Sequence, residues 1–152
     1  MTKPMGEVVA FGSNSQATPK STEQSLPDWV WDRWGEAPKG TSREELDRLC
    51  SILKAKCAPA DHTETAVIIR DLIQFAADFG LIAAPTRIEG MIANYRETLA
   101  DLPADLLALA VRRIKRDWKW GNRAPLPGDI RDAISSDWRD RRQALMRLGG
   151  LP

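Results

Sequence analysis

From residue 42 onward the apolar positions of this chain recur at three- and four-residue intervals, and no stretch alternates as a half-buried strand would. Leu46, Leu49, Cys50, Leu53 and Cys57 form one narrow stripe, which predicts a first helix. Ser42 can cap its free amides while Glu45 completes a capping box, and Pro59 stops it. A second helix is expected over residues 63–79, where Val67, Ile68, Ile69, Leu72, Ile73, Phe75, Ala76 and Phe79 spread round most of the circumference, the pattern of a central, buried helix closed by Gly80. Thr86 and Glu89, just after Pro85, predict a capping box for a third helix with Ile88, Met91, Ile92, Tyr95 and Leu99 on one side. Pro103 suits the first turn of a fourth helix reaching about Trp118, because its missing amide would have no partner there. Leu107, Ala110, Val111, Ile114 and Trp118 line one face of that helix, and Arg112, Arg113, Arg116 and Lys119 point largely away. After the breaker-rich loop GNRAPLP, a fifth helix is expected from Pro127 or Gly128 to Gly149, its seam of Ile130, Ile134, Trp138, Leu145 and Leu148 interrupted by Arg141. The predicted class is all-α, a compact bundle of about five helices.

The chain before this bundle reads differently. Residues 12–25, GSNSQATPKSTEQS, have almost nothing to bury and cannot offset the entropy of ordering. The expected organisation is a flexible N-terminal tail over residues 1–40 and a helical domain over 41–149. Within the tail, residues 26–38 place Trp29, Trp31 and Trp34 beside Asp28 and Asp32. Such a segment either folds back over an apolar groove of its own bundle or docks on another protein through aromatic anchors. The three tryptophans are therefore candidate partner-binding residues.

Net charge is only +1, so the molecule as a whole has no field that would attract an acidic partner. Its distribution is uneven: residues 111–147 hold 11 Lys/Arg against 5 Asp/Glu, net +6, leaving 11 against 16, net −5, elsewhere. Basic helices can neutralise phosphates, and an exposed Trp120 could stack on an unpaired base. Arg112, Arg113, Arg116, Lys119, Trp120, Arg123, Arg131, Arg139 and Arg142 are the candidate nucleic-acid contacts; a plain solvated or protein-contacting face is the alternative.

The residues offer little for covalent chemistry. The one histidine, His62, follows Asp61 in a turn where capping or solvation is expected. Cys50 and Cys57 would lie about 10 Å apart on one helix, too far for a disulfide, and with His62 they make no zinc set. Asp78-Phe79-Gly80 matches a kinase metal-binding tripeptide without the accompanying loop. No enzyme activity, metal or cofactor is expected. With no signal-peptide pattern and no run of about 20 apolar residues, the expected setting is the cytoplasm of a bacterial cell, without membrane contact.

The stretch from Tyr95 to Arg131 carries a tyrosine helix, Leu99-Ala100-Asp101-Leu102-Pro103, an Ala110-Val111 core, a turn at Trp118 or Trp120, and Pro125, Pro127, Asp129, Ile130 and Arg131 leading into the next helix. Over this quarter of the chain it resembles small phage and prophage proteins similar to the replicative-helicase loader and inhibitor group. The resemblance implies a helical, phage-type protein that engages a hexameric helicase during replication initiation. It assigns no binding residue.

The leading expectation is a non-enzymatic phage-type adaptor that binds a replication protein such as a hexameric DNA helicase, as loader or inhibitor. A DNA-binding regulator or packaging subunit using residues 103–119 and 128–148 is the second expectation, and an inhibitor of a host or defence complex the third. Oligomeric state is open.

Overall fold

The computed structural model describes residues 26–32, 36–119 and 121–149. Among these residues the protein is all-α, with seven helices and no strand. They are α1 (Asp28–Trp31), α2 (Arg43–Cys57), α3 (His62–Asp78), α4 (Ile88–Thr98), α5 (Ala104–Asp117), α6 (Pro127–Ala133) and α7 (Ser135–Arg147), with a 3-10 turn at Pro85–Arg87 before α4.

Two clusters of buried side chains hold the bundle. The larger joins Ile69, Leu72 and Ile73 of α3, Ile92 and Tyr95 of α4, Leu106, Leu107, Ala110, Val111 and Ile114 of α5, and Ile130 with Ile134. The smaller joins Val30 of α1, Leu49 and Leu53 of α2, and Ala144 and Leu145 of α7. The expected stripes of α2, α4 and α5 all face these clusters.

Local signals work largely as their chemistry dictates. The Ser42 hydroxyl accepts the Glu45 amide at 3.0 Å, although the Glu45 carboxylate turns to Arg48 at 2.7 Å and leaves the capping box half made. Ala58 is extended, the conformation that a following proline enforces, so α2 ends at Cys57. A full capping box that the sequence reading did not include starts α3: Asp61 accepts the Glu64 amide at 2.7 Å and Glu64 accepts the Asp61 amide at 3.2 Å. His62 is the first residue of α3 and is exposed. Gly80, at φ +72°, ends α3 in a reversed turn that returns the Leu81 amide to the Ala76 carbonyl at 2.9 Å.

Three expectations are corrected. The Thr86–Glu89 capping box does not form: Arg87 precedes α4 without a side-chain cap, and Glu89 instead pairs with Arg70 of α3 at 2.6 Å. Helix α3 is not buried all round, since Val67 is 63% and Phe79 68% exposed; α4 and α5 cover part of its circumference and leave those residues on the surface. The single fifth helix is two, broken at Ile134, where φ −127° and ψ 17° leave helical geometry. The Ala133 carbonyl at the break accepts Arg113 Nη1 at 2.6 Å. The break lets α6 anchor in the larger cluster through Ile130 while α7 turns its Ala144 and Leu145 into the smaller one.

The tryptophan segment includes α1, which lies against α7. Pro27 opens it, Val30 inserts into the smaller cluster at 2% exposure, and Arg147 donates to the Val30 carbonyl at 2.6 Å. Burial of one such aliphatic side chain contributes up to about 1.5 to 3 kcal/mol.

Candidate functional site

The candidate cations divide by what they touch. Arg113 is half-buried and bridges from α5 to the Asp137 carboxylate at 2.7 Å as well as to the Ala133 carbonyl. Arg131 reaches back to Asp101 at 2.5 Å and to the Thr98 carbonyl at 2.7 Å. Arg123 pairs with Asp129 at 2.7 Å and lies over the Trp118 ring at 5.2 Å. These three join separate parts of the bundle. Their partners respond: hydrogen bonds from Arg113, Arg131 and Arg123 hold the carboxyls of Asp137, Asp101 and Asp129 below the usual range.

The remaining described candidates face solvent. Arg112 and Lys119 are exposed. Arg116 pairs with its neighbour Asp117 at 2.9 Å, and Arg139 with its neighbour Asp140 at 3.8 Å, both on the surface. Arg142 lies over the Trp138 ring at 5.8 Å. Trp120 and Trp34 lie outside the described residues.

Residues around the 121–126 loop form a clasp. Tyr95 Oη donates to the Pro125 carbonyl at 2.7 Å in a buried position. Trp118 Nε1 donates to the Arg123 carbonyl at 3.2 Å, and Asp129 accepts the Leu126 amide at 2.7 Å. Burial pushes the Tyr95 phenol up, keeping it a neutral donor. Tyr95, Trp118, Pro125, Asp129 and Arg131, which carry the family resemblance, are thus engaged in holding α4, α5 and α6 together.

Two surfaces among the described residues combine exposed apolar side chains with cations. The first is the outer face of α7. Positions 135, 138, 139, 142 and 146 project together at helical spacing, placing Trp138 with Arg139, Arg142 and the 57% exposed Met146. Gln143 and Arg139 connect this patch to Trp31 of α1, which is 39% exposed. The structure therefore brings the candidate Trp31 beside the candidate Arg139, more than 100 residues along the chain. Trp29 is half-buried and packs on the smaller cluster. Met146 was not singled out in the sequence, although its place on the wheel with Arg139 and Arg142 was a usable signal.

The second surface is a groove between α3 and α5. Val67, Ile68, Ala108 and Leu109 provide apolar lining, and Arg112, Arg113, Lys115, Arg116 and Asp71 provide the charges. Lys115 spans it to Asp71 at 3.2 Å. Val67 belongs to the apolar set that marks its helix as central and buried, so its exposure is not legible in the sequence.

Among the described residues, no group of three or more His, Cys, Asp or Glu is arranged to hold a metal ion. Cys50 and Cys57 are free and half-buried, and burial pushes the Cys57 thiol up, against a role as a thiolate. No described helix is long and apolar enough to cross a membrane. No protein-family model, no curated protein and no solved structure matches this chain.

Proposed function

We propose that this chain is a non-enzymatic, phage-type adaptor that binds a replication protein, with a hexameric DNA helicase as the first candidate and loading or inhibition as the consequence. The observation that carries the reading is the composition of the outer face of α7, where Trp31, Trp138 and Met146 stand among Arg139, Arg142, Gln143 and a single described acid, Asp140, which pairs with Arg139. Centres of protein interfaces are enriched in tryptophan, methionine and arginine and depleted in lysine and acidic residues. The helicase enters through the resemblance of residues 95–131 alone.

A DNA-binding regulator is the second reading, favoured by the exposed cations Arg112, Arg116 and Lys119. It has less support because Arg113, Arg123 and Arg131 hold the fold together. The deciding experiment measures binding of the full chain to the purified replicative helicase of its host and, separately, to duplex and single-stranded DNA. Trp31→Ala with Met146→Ser is expected to weaken helicase binding at least tenfold while the helical circular-dichroism spectrum is kept. DNA affinity that falls steeply with salt and disappears in Arg112→Ala with Arg116→Ala, without helicase binding, would replace the adaptor by the regulator.

A further inference from the structure

We propose that the α3–α5 groove is a second docking site, and that its occupant is an acidic amphipathic helix of a protein partner. This deepens the adaptor reading, which supplies only the biological setting; the groove itself is argued from its own residues. Its apolar lining comes from Val67 and Ile68 on one helix and Ala108 and Leu109 on the other, and Val67 is 63% exposed. Arg112 and Arg116, four residues apart, flank this lining on the same side of α5. Arg112 has no carboxylate partner among the described residues, and Arg116 is paired with the exposed neighbour Asp117. Asp71 is the one acidic residue lining the groove among the described residues, and Lys115 already neutralises it at 3.2 Å. The unanswered charge is positive, so the complementary ligand is acidic.

The groove also selects the form of the ligand. Both walls are helices whose backbone groups bond internally, so an extended peptide would find no edge to pair with, whereas a helix can seat its side chains between those of the walls. From Ala108 to Arg116 the wall runs about 12 Å, two to three turns of a bound helix. A nucleic acid is the poorer fit: among the described residues no aromatic side chain lines the groove to stack on a base, and the aliphatic lining offers a phosphate backbone nothing.

The test uses the full chain and three probes: a synthetic 16-residue helical peptide with leucines on one face flanked by glutamates, the same peptide with leucines replaced by serines, and a single-stranded 20-mer DNA. Anisotropy gives affinities and amide NMR shifts give the place of binding. The leucine peptide is expected to shift amides in residues 67–71 and 108–116. Arg112→Glu with Arg116→Glu should weaken it at least tenfold and Val67→Ser at least threefold, with thermal midpoints close to that of the parent chain. Trp31→Ala with Met146→Ser should leave it unchanged, so loss of the groove and loss of the α7 interface are read separately. The proposal is overturned if the shifts centre outside the groove, if no binding occurs, if the serine peptide binds equally well, or if the DNA occupies the same residues more tightly.

Discussion

Arg141 of α7 grips Asp105 at the head of α5, donating to its carboxylate from both terminal nitrogens, and with Nη1 it also donates to the Lys56 carbonyl at 2.7 Å in the last turn of α2. One guanidinium thus joins three helices of the bundle, α2, α5 and α7. Burial pushes the Asp105 carboxyl up, but the Arg141 hydrogen bonds and charge, with Lys56 and the Leu106 amide, outweigh it and hold the group below the usual range. A position that breaks the apolar seam of α7 is therefore a joint between helices.

Arg141→Met keeps the aliphatic stem and removes every donor, leaving the Lys56 carbonyl without this partner. It is expected to destabilise the fold by about 1 to 3 kcal/mol, seen as a lower urea midpoint at unchanged slope. Asp105→Asn should cost less, because Asp105 is 59% exposed against 12% for Arg141 and water screens its side of the pair. A midpoint unchanged within error for Arg141→Met would remove the joint from the account.

Neighbouring arginines on α5 should behave differently. Arg113→Ala loses both Asp137 and the carbonyl at the α6–α7 break, and about 1 to 2 kcal/mol of stability is expected to go with them. Arg112→Ala, on the open surface, should change stability by less than about 0.5 kcal/mol. Equal effects in the two variants would mean that the break needs no such support.

Tyr95→Phe deletes one buried hydroxyl and strands the Pro125 carbonyl that it satisfies. A loss of about 1 to 2 kcal/mol is expected. Amide exchange should also rise in the 121–126 loop, where the clasp opens, and stay unchanged in α2. Uniform loss of protection across the chain would contradict a local clasp.

The acid limb of stability follows from the same ties. Asp101, Asp105, Asp129 and Asp137 all bind their protons more weakly folded than unfolded. Their contribution is complete above the ordinary carboxylate pKa of about 3.9 and is lost as pH falls through the lower folded values. Urea midpoints should be level between pH 7 and 5 and drop below about pH 4. Arg131→Ala with Arg113→Ala should flatten that drop, and an unaltered acid limb in this variant would show that other groups control it.

Helix periodicity, proline and glycine placement, and the Ser42 cap determined the all-α class and located α2 to α5 and the helical span that holds α6 and α7, because those signals act within a few residues of chain. The break at Ile134 was not legible: its surroundings continue an apolar seam, and what ends the helix there is the competition between two separate cores for its two halves. Nor could charge pattern sort the arginines. Arg112, Arg113 and Arg116 look alike along α5, yet Arg113 alone meets a carboxylate and a free helix end brought by a segment 20 residues further on. The outer face of α7 joined to Trp31, and the groove between α3 and α5, exist only once distant segments pack. Local spacing sets which residues share a helix face; which faces remain open to a partner is decided by what the other helices leave uncovered.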